Sequence, residues 1–489
     1  MRDIFSYIDG RFVQGKGESF YDHNPSNGQA HAKVHPIDTS QVGSAIDAAR
    51  RTLPEWRNNS CEARAAWLND IADVIEERNT ELAALETADT GMLLSLTAQG
   101  HIPRAVECFR YFAAAIDRGE TCYPLQDAYL TLVRRESLGV LGIIAPWNAP
   151  FVVAAMNVAA ALAVGNCVIL KPSERSPLTS FLLAEIADNL DLPPGVLQVV
   201  QGGAEIGREL ASAEGIDGLC FVGGVDAGRE IIRSSANNFK RLTLELGGKS
   251  PTIIFADANF DSALDGALLS AFAGNGEVCA AGSRILVERK IYPAFLEALS
   301  ARTANICVGD PMLANSEMGP LIDSDHRSRV DAMVHGALGE GARATTPIGV
   351  PADLADGSYY APVVLDRVNP GMRIAQEEVF GPVAAVMPFD SEAEAMAIAD
   401  DTVFGLHASI WTADLPRALR IASNLSAGSV AINAGMVRDI RVPIGGRKRS
   451  GLGRLGGRWS LDAFSEPKSI AISINPYALP RLGSNSETR

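Results

Sequence analysis

With 489 residues, 47% of them hydrophobic and 21% charged, the chain is too long for one simple core and too apolar for a disordered polymer. Its formal net charge of −15 argues against a general electrostatic attraction to nucleic acid. The seven cysteines, at 61, 108, 122, 167, 220, 279 and 307, include no Cys-x-x-Cys and no tight Cys/His cluster, so neither a disulfide framework nor a metal site is expected.

From the N-terminus, Met1-Arg-Asp-Ile-Phe-Ser-Tyr7 offers no apolar signal-peptide core, and a reducing cytoplasm is the expected compartment. Helical periodicity covers 38–118 in three segments. It is clearest over 62–90, where Ala, Leu and Ile recur at three- and four-residue spacing between charges. Short β-branched runs at 139–145, 167–170, 196–200, 218–222 and 242–246 then alternate with helical stretches at 150–164, 176–189, 203–213 and 226–236. The longest apolar run, 149–165, carries Asn157 and is short for a membrane span, so it reads as a buried helix. Such alternation predicts a parallel sheet covered on both faces, with ligands bound beyond the carboxyl ends of its strands.

A second alternating run, from about 250 to 440, includes strands at 284–288 and 384–389 and helices at 291–304 and 392–400, and reads as a second α/β domain. Two further strands, 129–134 and 469–474, belong to neither core; they are expected to pair and to carry a contact between copies, in a homodimer or homotetramer. The expected division is a first, ligand-binding domain from 1–119 and 139–249, and a second domain from 250–440. An arm from 120–138 and 468–489 and a returning segment, 441–467, complete it.

The most informative stretch is Asn275-Gly-Glu-Val-Cys-Ala-Ala-Gly-Ser-Arg284, which sets Cys279 among small residues where a substrate could approach its sulfur. Upstream, Thr243-Leu-Glu-Leu-Gly-Gly-Lys249 puts a carboxylate, Glu245, at the end of a strand-like run. A thiol with a separate carboxylate suits chemistry through a thioester, the carboxylate later activating water. Each alone has a plainer reading, since a lone cysteine is usually buried structure and a strand-end Glu usually solvated. Asn148, fixed between prolines in Pro146-Trp-Asn-Ala-Pro150, is a suitable donor to a developing oxyanion, although Asn-containing turns are common. Phe221-Val-Gly-Gly-Val-Asp-Ala-Gly-Arg229 follows a strand and opens a helix, so its amides could meet a pyrophosphate; a plain strand–helix turn is the alternative. Lys171 and Glu174, at a strand's end, could hold an adenosine ribose, and Glu174 would repel a 2′-phosphate, favouring NAD over NADP.

In order, Pro-Trp-Asn, Lys-Pro-Ser-Glu, Glu-Leu-Gly-Gly-Lys, Gly-Glu-x-Cys, Glu377-Glu-Val-Phe-Gly-Pro382 and Gly445-Gly-Arg-Lys-Arg-Ser-Gly-Leu-Gly-Arg454 resemble the aldehyde dehydrogenase superfamily over essentially the whole length. The resemblance implies an α/β fold with a Rossmann-type NAD-binding domain, an α/β catalytic domain and a small β arm for oligomerisation. It implies NAD-dependent oxidation of a small-molecule aldehyde to an acid, with no metal, nucleic acid or membrane. Cys279 would be the nucleophile, Glu245 the general base, and Asn148 with the Cys279 N–H the oxyanion hole. Trp147, Lys171, Glu174, Gly223, Gly224, Gly228 and Leu246 would face the cofactor, with Glu378 and Phe380 at its nicotinamide end. One departure stands out: the family's turn commonly reads Phe-Thr-Gly-Ser, and both hydroxyls are missing from Phe221-Val-Gly-Gly224.

Glu86-Thr-Ala-Asp-Thr-Gly91, Ile102-Pro-Arg104 and Val437-Arg-Asp-Ile-Arg441 look like the branch that oxidises muconic semialdehydes, with the likeness strongest to 5-carboxymethyl-2-hydroxymuconate semialdehyde dehydrogenases. By that resemblance Arg104 and Arg441, with Arg438 as the alternative to Arg441, would line the substrate tunnel and grip a carboxylate; surface ion pairs are the plain alternative. Rival readings are a dehydrogenase for 2-hydroxymuconic, aminomuconic or simple aldehydes, a non-catalytic NAD-binding protein and a thiol esterase without redox chemistry.

Overall fold

Strands that alternate with amphipathic helices assemble into two mainly parallel sheets, and the cleft between them is the feature on which function turns. The computed structural model describes residues 1–116, 121–125, 129–435, 437, 439–474, 479 and 482–483. The first sheet runs, edge to edge, Gly451–Leu452, Arg241–Leu246, Gly218–Gly223, Val140–Ile144, Cys167–Lys171, Leu197–Val199, Ser6–Ile8 and Arg11–Val13. Val140–Ile144 and Cys167–Lys171 are buried at every residue, as strands covered by helices on both faces must be. After Val140–Ile144 the chain lays Cys167–Lys171 and Leu197–Val199 to one side, then returns to place Gly218–Gly223 on the other. That reversal leaves a crevice at the carboxyl ends of the central strands.

The expected buried helix over 150–164 is Pro150–Ala163. Proline occupies its first helical position, where the missing N–H costs nothing, and only Val153 and Met156 along it are not fully buried. The second sheet runs Arg343–Ala344, Val363–Asp366, Val383–Phe389, Arg284–Glu288, Pro251–Ile254, His407–Trp411 and Ser429–Ile432. Its cores pack Phe389, Tyr360 and Leu286 on one face and Phe295, Leu264 and Trp411 on the other.

A third sheet places Tyr129–Ser137 between Thr121–Leu125 and Ser465–Ser473, so the two outlying strands do pair, antiparallel, from Ser137↔Ser465 to Tyr129↔Ser473. The helical run read over 62–90 divides at Arg78 into Cys61–Glu77, capped by the Ser60 hydroxyl, and Asn79–Thr90. Asn79 competes for backbone hydrogen bonds and favours a break over continuation. Five short strands within the first 34 residues have no counterpart in the sequence reading. Their runs of three to five residues are too brief for a period of two to register. A cluster of Asp22, His31 and Asp89 brings ligand atoms within 4.8 Å of one another, although these residues are scattered in sequence. His31 Nε2 lies 2.7 Å from Asp22 Oδ2.

Candidate active site

Cys279 is delivered by a helix and a pinned loop. The helix Phe260–Phe272 starts at Asn259, whose side chain accepts the Ser262 N–H, and stops at Ala273. Gly274, Asn275 and Gly276 then follow in left-handed conformation, at φ +60°, +59° and +68°. Asn is the non-glycine residue best suited to that region, and here its side chain is fully used. Asn275 Nδ2 donates to the carbonyls of Gly91 (3.2 Å) and Pro320 (2.8 Å), and Oδ1 accepts the Gly319 N–H at 2.9 Å. A side chain at 276 would strike the Gly381 carbonyl, 2.4 Å from the position of its Cβ. The half-buried Cys279 thus forms part of the wall of a cavity of about 1820 Å³ between the two sheets.

The other two expected catalytic residues line the same cavity. Asn148 Nδ2 donates to the Glu277 carbonyl at 2.7 Å, which ties the Pro-Trp-Asn loop to the thiol loop and leaves one amide hydrogen for a ligand. Glu245, 9% exposed at the end of strand Arg241–Leu246, has an Oε1 with no hydrogen-bond partner among the described residues. Burial pushes its carboxyl up to about 8, with Arg454 pulling the other way. The strand Gly451–Leu452 sets Gly451 opposite Glu245, and a Cβ on Gly445 would lie 2.8 Å from Glu245 Oε1. A carboxyl poised near neutrality in the cavity that the thiol also lines suits proton abstraction from water.

Gly247 and Gly248 matter more than their place in a motif suggested. A Cβ at 247 would overlap the Glu378 carboxyl, at 2.0 Å, and one at 248 would meet the Cys279 carbonyl at 2.5 Å. The Gly248 N–H also donates to Glu378 Oε1 at 3.0 Å. The pair therefore lets the thiol loop and Glu378 close on the strand end together. Glu277, fully buried, likewise went unremarked; Oε1 accepts the Ile322 N–H at 3.0 Å and burial holds its carboxyl well above the usual range. Its only sequence signal is adjacency to Cys279.

On the cofactor side, Trp147, Lys171, Glu174, Gly223, Gly224, Leu246, Glu378 and Phe380 all line the cavity. The helix Val225–Ser234 begins at Gly224 with no side-chain cap, and nothing lies within 4 Å of a Cβ built on that glycine. Gly223 to Ala227, which lead into and start that helix, line the cavity, a setting suited to a pyrophosphate even without the hydroxyls absent from the turn. Gly228 departs from expectation: it lies inside that helix and off the cavity, where a Cβ would sit 2.7 Å from Leu246 Cδ2. Its role is close helix–strand packing.

Lys171 is 3% exposed, burial lowers its ammonium, and Nζ donates to the Pro172 carbonyl (2.9 Å) and to Glu174 Oε2 (3.4 Å). Glu378 is pushed up to about 7 by burial, against the Gly248 N–H and Lys249. Phe380, at φ +57°, stands edge-on to Trp147 with centroids 5.1 Å apart. An uncapped helix start, a ribose-sized acid–amine pair and a buried carboxyl at the far end fit a dinucleotide.

The three arginines separate. Arg104 is half-buried on the cavity wall and makes no hydrogen bond or ion pair among the described residues. Arg441 does not reach the cavity; its guanidinium chelates Asp439, with Nη2 2.6 Å from Oδ2, and faces a neighbouring surface depression beside Arg110 and Tyr111. Asp439, two residues away, captures it because a flexible exposed side chain meets the nearest anion first. Arg438 lies outside the described residues.

A two-sheet α/β fold whose cleft is lined by a thiol, a buried carboxyl and an uncapped helix start fits the class of NAD-dependent oxidoreductases. The chain belongs to the aldehyde dehydrogenase family: residues 12–470 match the description "Aldehyde dehydrogenase family". It is 39% identical over 468 residues to the 5-carboxymethyl-2-hydroxymuconate semialdehyde dehydrogenase of Escherichia coli, covering 94% of this chain and 99% of that protein. It is 40% identical over 472 residues to betaine aldehyde dehydrogenase 2 of Rhizobium meliloti (strain 1021), covering 96% and 97%. Among solved structures, the HpcC from Thermus thermophilus superposes with a TM-score of 0.96 at 38% identity, covering 99% of this chain and 95% of that one. An NAD+ complex of aldehyde dehydrogenase from Bacillus cereus superposes with a TM-score of 0.94 at 35% identity, covering 97% of both chains.

Proposed function

We propose that the protein oxidises an aldehyde to a carboxylic acid with NAD, through an acyl group carried on Cys279. The observation that carries this reading is that Cys279, Asn148 and Glu245 line one cavity, which the uncapped helix start at Gly224 lines as well. The Cys279 thiolate forms a bond to the carbonyl carbon, and the oxygen takes the negative charge. The free Asn148 amide hydrogen and the Cys279 N–H are the donors for that oxygen. Glu174, Gly224 and Glu378 would hold a nicotinamide dinucleotide, which when bound would supply the acceptor for the hydride lost as the sulfur-bound carbon is oxidised to the acyl level. Glu245 then takes a proton from water as the water oxygen attacks the acyl carbon; the carbon–sulfur bond breaks, and the thiolate is restored. Glu174 beside Lys171 favours NAD, because a 2′-phosphate would face its carboxylate.

The substrate proposed is an aldehyde with a carboxylate at its far end, of the semialdehyde class named for the E. coli relative. Support comes from Arg104, a guanidinium with no ion-pair partner among the described residues on the cavity wall. The same charge disfavours a quaternary-ammonium aldehyde of the kind named for the Rhizobium relative, which aromatic faces would recognise. Cys279→Ala is expected to abolish aldehyde-dependent NADH formation while NAD still binds by titration; turnover near the parent rate would remove Cys279 from the reaction. Arg104→Ala is expected to raise KM for a carboxylated aldehyde at least about tenfold more than for a neutral one. Equal effects on the two would defeat the carboxylate assignment.

A further inference from the structure

Glu378 and Phe380, at the expected nicotinamide end, are held from behind by a helix outside the catalytic set. Phe380 sits at φ +57°. A bulky side chain rarely adopts that left-handed conformation, which persists only where the surroundings fix it. The helix Ser324–Gly339 supplies the fixing bonds. His326 Nε2 lies 2.6 Å from the Phe380 carbonyl, and Arg329 Nη2, on the same helical face, donates to the Glu378 carbonyl at 3.1 Å. A carbonyl only accepts, so Nε2 carries the ring proton. The imidazole is buried, and burial lowers its pKa, so near neutral pH it holds that one proton alone. Its backbone is fixed in turn by Asp323, whose Oδ1 accepts the His326 N–H at 2.7 Å. The same ring faces two other parts of the site. Trp147, the residue before Asn148, stands edge-on to it with centroids 5.3 Å apart. Glu277, two residues before Cys279, has Oε1 3.7 Å from Nε2. Beyond Phe380, a Cβ on Gly381 would lie 2.7 Å from Val330 Cγ2, and Gly381 itself lies against Gly276 of the thiol loop.

We propose that His326 is a positioning residue, which holds Phe380 in its left-handed conformation and so keeps the nicotinamide end of the dinucleotide in register with Cys279. The inference deepens the NAD-dependent oxidation proposed above and rests on it. His326 acts through Phe380: its Nε2–H is the bond that fixes the carbonyl of a strained residue. Without that donor the backbone at 380 relaxes toward ordinary φ values, and the ring leaves its place edge-on to Trp147. A hydride donor and acceptor must meet in a narrow range of geometry, so a small shift there is costly. The adenosine end, expected at Lys171, Glu174 and Gly224, is built on the first sheet and does not depend on this bond. Loss of the donor is therefore felt at one end of the dinucleotide only.

The test compares NAD with ADP-ribose, which keeps the adenosine, the pyrophosphate and the second ribose and lacks the nicotinamide. Binding of each to the full chain is titrated by calorimetry, and NADH formation in the first turnover is followed by stopped flow with an aldehyde that the parent oxidises. His326→Leu should weaken NAD about tenfold, leave ADP-ribose within about twofold, and slow the first turnover at least about tenfold. His326→Gln puts an amide donor near the place of Nε2 and should bring NAD affinity and first-turnover rate back to within about threefold of the parent. Should thermal denaturation show that His326→Leu does not fold, His326→Asn carries the same expectation, because its shorter amide stands near the place of Nδ1 and not of Nε2. Equal losses for NAD and ADP-ribose, as general loosening of the site would give, would overturn the inference. So would an NAD affinity and first turnover that match the parent, or losses that glutamine does not restore; each of these leaves the oxidation reading standing. If the parent forms NADH with no aldehyde, the oxidation reading falls and this inference with it.

Discussion

Glu245 carries the residue-scale consequences that are simplest to measure. Its carboxyl ionises near pH 8 instead of at its ordinary 4.5 because burial penalises the charged form. As a base it must be deprotonated, so where hydrolysis of the acyl group limits turnover, kcat should climb with pH and level off above about 8. Glu245→Gln should abolish this rise; a parent profile already flat from pH 6 would contradict the assignment. Stability moves in the opposite sense. With the folded value above the unfolded one, the native state holds the extra proton between about 4.5 and 8, so stability falls across that window. Above pH 8 the full penalty applies, and below 4.5 none. Glu245→Gln should therefore raise the Tm at pH 9 and leave it nearly unchanged at pH 4.5, as thermal denaturation would read. At this scale the sequence was most legible where side chains carry distinctive chemistry: Cys279, Asn148, Glu245, Glu378 and Arg104 all reach the cavity. It was least legible where a role depends on a neighbour distant in sequence. The captor of Arg441, Asp439, was in plain view, but whether the pair turned inward depended on the fold. His101 Nδ1 lies 2.8 Å from Glu86 Oε1, a pairing across 15 residues that no period in the sequence signals.

Among the elements, the helix Phe260–Phe272 and its cap are the place to mutate, because this helix aims the thiol loop. Asn259→Ala removes the acceptor for the Ser262 N–H and should cost about 1 kcal/mol of stability in denaturant titration. An unchanged denaturation midpoint would show the cap to be idle. Period and composition made the long elements readable: the strand at 284–288 and the helix at 392–400 coincide with Arg284–Glu288 and Glu392–Asp400. Strands covered by helices on both faces announced themselves as unbroken β-branched runs. The two-residue strand Gly451–Leu452 could not, since two residues have no period, yet it seats Gly451 opposite Glu245. Likewise the glycines at 247 and 248 stood in the sequence only as part of a motif, whereas the fold uses them to admit the Glu378 carboxyl and the Cys279 carbonyl to the same small space.

For the molecule as a whole, the cavity is shared between two sheets: Glu174 and Gly224 stand at the ends of the first, while Glu378 and Phe380 come from the chain that builds the second. A ligand touching both sets should stabilise both at once. NAD at about 100 times its Kd is expected to add about 2.7 kcal/mol, read as an upward shift in Tm. Glu378→Ala and Glu174→Ala should each diminish that shift, and a shift indifferent to both would place the dinucleotide elsewhere. The most direct test of the central claim is intact and peptide mass spectrometry of the Glu245→Gln variant after incubation with NAD and a carboxylated aldehyde. The account requires one acyl group, accumulating only when NAD is present, on the peptide that contains Cys279. An unmodified Cys279 peptide under conditions where the parent forms NADH, or an acyl group on any other residue, would contradict it.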